Sequence, residues 1–534
     1  MTAHRFAAKD ADQQDSTPDP EPLRSKGSTM TSPKTRPTAS VTADLGEAVH
    51  RCLILGWDAP VVTDELRRRV DNGLGGVILH TRNVTDTAQL RALTDELRAL
   101  RSDFLVAIDQ EGGRIGHLER AQVPASPAHW ALGVADDPEL TARVARTLAG
   151  HLAALGIMVS YAPVADVQRE DANPIIRTRS FGADPELVSR HVAAWVEGTL
   201  AAGVAPCAKH FPGHGSTTVD SHLGVAVDTR DLATLSEVDL APFRAAIAAG
   251  VPQIMTAHVS FPELDELPAT LSRRVLVDVL RAELGFTGVI VTDALEMKAI
   301  ADRYGEAAGA WMAFAAGADQ LIIAEPDDGL HERCVAAVVQ AVADGALAEE
   351  RVFEAAQRVA ALAARFAQPP ASTSTVDDER HEPGLAAARR AVRRTPLPAP
   401  LRAPFVVDLY RAPRPALEWD GSDLVTHVRA LDPDADGVGI TAGPVDVAGL
   451  LARAANRPLV IATEDANLHD WQRQARDALL AGRPDARLVE TGLPDSAATA
   501  TSTDAADTPA PALIRAYGRG HASLRATAEA VVGR

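Results

Sequence analysis

The sequence predicts an α/β protein, a (β/α)8 TIM-like barrel followed by a smaller α/β sandwich domain. Two observations predict it. Eight short runs rich in β-branched residues alternate with helical patterns over about 320 residues, and the ionisable residues collect at the ends of those runs. The runs are CLILGW (52–57), GVILH (76–80), FLVAID (104–109), MVSYAPVAD (158–166), APCAKHF (205–211), PQIMTAHV (252–259), GVIVTDAL (288–295) and DQLIIA (319–324). Most are continuously apolar rather than alternating, as parallel strands buried on both faces require. Between them, stretches such as DTAQLRALTDELRALR and LTARVARTLAGHLAALG carry apolar residues at helical spacing.

The βα style resumes after a break. FVVDLY (405–410), GVGITAG (437–443), PLVIATED (458–465), ARLVETG (486–492) and ALIRAYG (512–518) are strand candidates, with helical segments such as HDWQRQARDALLAG between them. The expected organisation is a disordered extension over 1–44, the barrel over 45–368, a linker over 369–394 and an independent trailing domain over 395–534. The extension is rich in Ser, Thr, Pro and Asp and lacks the apolar content to bury a core. The linker contains QPPASTSTVDDERHEPG (368–384), and 495–511 reads as a long surface loop.

Composition excludes several classes. Hydrophobic residues make up 46% and charged residues 23%, the balance of a globular chain. Against 53 Lys and Arg stand 72 Asp and Glu, a net charge of −19, which argues against a nucleic-acid backbone as partner. No run approaches ~18 uninterrupted apolar residues, so no membrane span is expected. The opening MTAHRFAAKDADQQDSTPDPEP has no apolar core of a secretory signal, and the expected location is cytoplasmic. Cys52, Cys207 and Cys334 stand far apart in apolar or Ala-rich segments, as buried reduced thiols would; no metal site is read from them.

In such a barrel the reacting groups come from the C-terminal ends of the strands and the loops after them. His80 to Asn83 follow the second run, Asp109 to Arg114 the third, Asp166 ends the fourth, Lys209 and His210 end the fifth, His258 the sixth and Asp293 the seventh. Together they define one polar pocket. Taken singly, each residue has a plainer reading. Asp293 is also a good N-cap for the next helix. His210 or His258 alone reads as a satisfied core histidine. Asp109 and Glu111 have Arg114 as a structural partner. Lys209 buried in a barrel mouth needs an acidic or hydroxyl partner. The stretch KHFPGHGSTTVDSH (209–222) carries most information: Gly213 and Gly215 make a flexible loop possible, and Asp220 and His222, two apart, fall on one side if that piece is extended. A carboxylate beside imidazole fixes its tautomer, as in a catalytic dyad; a solvated pair on a polar loop is the alternative.

KHFPGHG with DSH resembles the β-N-acetylglucosaminidases of glycoside hydrolase family 3. DQEGGR (109–114), APVADV (162–167), RSFG (179–182) and TDALEMKAI (292–300) extend the resemblance in matching order over about 50–365. It implies Asp293 as the nucleophile of a retaining exo-glycosidase and His222, oriented by Asp220, as acid/base. It also implies Asp109, Arg179, Lys209 and His210 as holders of the terminal sugar's hydroxyls, with Arg114, His214, Asp166 and Met297 as lining or support. The implied substrate is a GlcNAc-terminated carbohydrate, a peptidoglycan fragment or a chitooligosaccharide, with no cofactor. A histidine base leaves phosphorolysis open beside hydrolysis, which is favoured. A family 3 β-glucosidase is disfavoured because the dyad lies in the first domain. A silent sugar-binding barrel would have lost the nucleophile or dyad, and a metal-dependent barrel hydrolase would show an HxH pair after the first strand.

Overall fold

The computed structural model describes residues 39–121, 123–326, 329–367, 381–396, 399–413, 423–493 and 512–534. Eight parallel strands close into a barrel: β1 (Leu53–Leu55), β2 (Gly76–Leu79), β3 (Leu105–Ile108), β4 (Val159–Ser160), β5 (Ala205–Phe211), β6 (Gln253–Thr256), β7 (Val289–Ala294) and β8 (Gln320–Ile323), with β1 pairing to both β2 and β8. Each of the eight expected runs holds one strand. Nearly every strand residue is buried, because side chains face either the barrel interior or the surrounding helices.

Local signals start the helices. Asp137 and Asp184 cap Pro138–Ala154 and Pro185–Ala201, accepting the Leu140 and Glu186 backbone N–H at 2.9 Å each, with proline at the first helical position. Asp86 caps Thr87–Leu100 in the same way through Gln89 N–H at 2.8 Å. The fourth run forms a shorter strand than expected. Pro163, in a cis peptide with Ala162, lacks the N–H that a ladder needs, and only Val164 rejoins the sheet, bridging to Lys209.

The trailing domain is a six-stranded sheet of β9 (Arg393–Arg394), β10 (Phe405–Leu409), β11 (Asp436–Ile440), β12 (Leu459–Thr463), β13 (Arg487–Glu490) and β14 (Leu513–Arg515). The order is β9-β14-β13-β12-β10-β11, parallel except for β9. Separate apolar clusters cover its two faces, as a three-layer sandwich requires.

Two boundaries differ from expectation. A helix, Ala39–Arg51, begins inside the stretch expected to be disordered; residues 1–38 lie outside the described residues. The expected linker is outside them only as far as 380. Beyond it, the helix Glu382–Ala391 is wedged between the domains. Its Ala391 packs with Ala131 of the barrel and Tyr517, and its Ala388 with Ala522 and Ala526 of the last helix. Small side chains let three backbones approach, so this segment docks where a linker was expected. The 495–511 loop lies outside the described residues. Among these residues no helix is long and apolar enough to cross a membrane.

Candidate active site

A cavity of about 260 Å³ opens at the C-terminal ends of the barrel strands. His80, Asp109, Glu111, Arg179, Lys209, His210, His222, Asp293 and Met297, nine of the residues singled out from sequence, line it. Asp166, His214, Asp220 and Arg114 do not; the first three stand directly behind the wall.

The charged wall is built on Lys209. Its ammonium pairs with Asp109 and lies 2.7 Å from Glu111 Oε1, and Glu111 receives Arg179 through two N–H donors at 2.8 and 2.9 Å. Glu111 is 2% exposed. Burial alone would raise its carboxyl, but the Arg179 and Lys209 cations hold it well below the usual carboxylate range. Burial would likewise lower Lys209 and Arg179, and their acidic neighbours raise both instead. Glu111, Lys209 and Arg179 therefore stay charged. The plainer reading of Glu111, a pair with Arg114, does not hold: Arg179 takes it, and Arg114 turns away to Glu464 of the trailing domain.

Lys209 and His210 are successive residues, yet both reach the cavity. Strand pairing shifts register between Ala208 and Phe211, which breaks the usual alternation. Asp166 fixes His210: its carboxylate accepts from Nδ1 at 2.7 Å and also receives the His214 backbone N–H at 2.7 Å. Asp166 is fully buried, and although burial opposes it, the two imidazoles keep it ionised.

The loop after β5 is tied down rather than loose. A Cβ on Gly215 would lie 1.9 Å from the Val167 carbonyl oxygen, so the glycine permits close approach instead of supplying flexibility. His214 reaches Thr217 through Nδ1 at 2.7 Å and Ser221 through Nε2 at 2.9 Å. That anchor stands next to His222, whose Nδ1 meets Asp220 Oδ1 at 2.8 Å and whose backbone N–H meets the same oxygen at 3.0 Å. With Nδ1 held, Nε2 is the nitrogen left for a substrate. Val219, Leu223, Val225 and Val227 flank this dyad as exposed apolar side chains.

Asp293 ends β7 within the same cavity as His222. Burial would raise its carboxyl, but the imidazoles of His258, His210 and His222 and its hydrogen bond from Ala294 N–H hold it below the ordinary value, so it is an anion. His258 is a core histidine after all, 1% exposed, linking Thr270 at 2.7 Å to the Ala294 carbonyl at 2.9 Å. It steadies the strand end beside Asp293.

Several lining residues had no clear signal in the sequence. His117 and Glu296 come from loops whose path cannot be read from spacing. Glu296 Oε1 accepts the Ala324 and Glu325 backbone N–H groups at 2.6 and 2.7 Å, while burial pushes the carboxyl up from 4.5 to about 7. A value raised in the folded state favours the protonated form there. Its contribution to stability is present below about 4.5 and is lost as pH rises through about 7. We expect stability, read from thermal melts, to fall between pH 5 and 8, and Glu296→Gln to remove about 1–3 kcal/mol of that fall. Matching slopes for the two proteins in thermal melts would refute this.

Among the described residues no group of three or more His, Cys, Asp or Glu is arranged to hold a metal ion. The beta-hexosaminidase of Bordetella avium is 38% identical over 283 residues, 51% of this chain and 81% of that protein. Beta-hexosaminidase A of Pseudoalteromonas piscicida is 34% identical over 351 residues, 61% of this chain but 58% of that longer protein. Among solved structures, a glycoside hydrolase family 3 beta-N-acetylglucosaminidase from a Paenibacillus species has a TM-score of 0.83 at 31% identity, with 92% of this chain and 96% of that one covered. The model of the glycosyl hydrolase family 3 N terminal domain matches residues 55–362. That match takes in β2 to β8 of the barrel and every residue lining the cavity, and the chain therefore belongs to glycosyl hydrolase family 3.

Proposed function

We propose that the protein is a retaining exo-β-N-acetylglucosaminidase that removes terminal GlcNAc from peptidoglycan fragments or chitooligosaccharides. The observation that carries this reading is an ionised Asp293 and an Asp220-oriented His222 lining one cavity together with a fixed charge cluster. Retention needs a nucleophile on one side of the sugar and a proton donor on the other. Asp293 attacks the anomeric carbon while His222 gives its proton to the leaving oxygen. Asp220 stabilises the imidazolium beforehand. His222, now neutral, takes a proton from the water that opens the glycosyl ester.

Asp109, Arg179, Lys209 and His210 hold the sugar's hydroxyls, and Met297 lies against the ring. Asp166 and His214 act from behind, through His210 and the dyad loop. The cavity, about 260 Å³, lies just below the usual range of ligand pockets (~300–1,000 Å³) and suits one sugar at a time. The beta-hexosaminidase and beta-N-acetylglucosaminidase names of the relatives support the choice of sugar. Three buried thiols without disulfides suit a reducing compartment, and we place the enzyme in the cytoplasm.

The test is release of p-nitrophenol from the β-GlcNAc and β-glucose glycosides side by side, with and without phosphate. A strong preference for GlcNAc that phosphate leaves unchanged is expected. Stimulation by phosphate would make the enzyme a phosphorylase, and preference for glucose would overturn the sugar assignment.

A further inference from the structure

Two turns build the charged wall of the cavity, and each also sends an arginine out of the barrel. Residues 109–114 carry Asp109 and Glu111 inward and Arg114 outward; the turn Arg177–Arg179 carries Arg179 inward and Arg177 outward. Arg114 meets Glu464 with two N–H donors, and Arg177 Nη2 lies 2.7 Å from Asp465 Oδ1. Glu464 and Asp465 are neighbours just past β12 of the trailing domain, 4% and 7% exposed.

Neither acid reaches the main cavity. They line a second, polar cavity of about 30 Å³ between the domains, which shares Glu111, Ile115, Ile175 and Arg179 with the first. The shared residues are one wall seen from its two sides.

The joint is specific. Arg177 and Asp465 adopt φ of 44° and 57°, a left-handed backbone that a non-glycine residue keeps only where its surroundings determine it. The Asp465 N–H donates to Glu490 Oε1 at 3.1 Å, and Asp465 Oδ1 also accepts the Leu493 N–H at 2.8 Å. A Cβ on Gly520 would lie 2.4 Å from the Gly113 carbonyl oxygen, so the two domains touch main chain to main chain at the turn itself.

We propose that Glu464 and Asp465 are positioning residues of the active site, holding Arg114 and Arg177 and so fixing Glu111 and Arg179 against the sugar. The inference rests on the reading that Glu111, Arg179 and Lys209 bind the sugar's hydroxyls. A buried fork of this kind sets the two turns in register, and small misplacement of groups that orient a substrate is expensive in rate.

The experiment measures kcat and KM of the full chain on p-nitrophenyl N-acetyl-β-glucosaminide, well below each variant's melting temperature. Glu464→Gln and Asp465→Asn are expected to lower kcat/KM by about 10- to 100-fold, mainly through KM. Glu464→Asp should recover part of the loss. Arg114→Gln combined with Glu464→Gln removes both members of the pair, serves if the single variant fails to fold, and should be no worse than it, since both act through one pair. Unchanged kcat and KM with only a lower melting temperature would overturn the proposal. Arg179→Lys, run alongside, separates the two levels. If it raises KM while Glu464→Gln does not, positioning fails alone; if it leaves KM unchanged, the sugar-binding reading fails and takes this inference with it.

Discussion

Asp293→Ala is expected to lower kcat by about 10⁴-fold or more, because in the proposed mechanism its carboxylate forms the covalent intermediate. The fold should survive. Asp293, next to last in β7, faces the cavity, where its carboxylate accepts the Ala294 backbone N–H. Losing that anion leaves no partnered cation behind, unlike loss of Glu111, which would strand Arg179 and Lys209. Circular dichroism and melting temperature should match the parent. Activity within about 10-fold of the parent would sink the nucleophile assignment.

His222→Ala should discriminate between substrates. With an alkyl or sugar leaving group the departing oxygen needs a proton, and loss of a positioned acid costs about 10²- to 10⁴-fold. A p-nitrophenolate leaves without one, so the first step on the aryl glycoside should suffer far less. Asp220→Asn should show the same ordering with a smaller amplitude, since it keeps the imidazole but loses the carboxylate bonded to Nδ1 at 2.8 Å. Equal losses on both substrate types would show that His222 is not the acid.

Much of this was readable in advance, for a physical reason. Parallel barrel strands are buried on both faces, so GVILH, FLVAID and GVIVTDAL stand out as apolar runs, and the fold then dictates that reacting groups follow them. Asp293, Asp109 and Lys209 could be placed by that rule alone. What could not be read was the choice of partner. Asp109 and Glu111 both had Arg114 nearby in sequence, but Arg179 and Lys209, 68 and 98 positions beyond Glu111, meet it in space. The shift of register that brings both Lys209 and His210 to the cavity leaves no trace in composition. Nor did Ala388 and Ala391 announce that the helix Glu382–Ala391 would fill the joint between domains; alanine-rich sequence states that backbones can come close, not which ones.

In the trailing sheet the strand order reverses between β10 and β12, the place where open α/β sheets usually leave a crevice for a small molecule. Here the crevice is taken by Arg114, against Glu464 at the end of β12 and the Arg411 carbonyl, 3.3 Å away, after β10. The protein is its own ligand at that point. Docking of the halves is thus linked to folding as any bound ligand would be, and each half is stabilised only while the other is folded. Heating the intact chain should give one cooperative transition rather than two, and a barrel cut free at the 381–394 segment would melt lower with Arg114 and Arg177 left as cations in search of an anion.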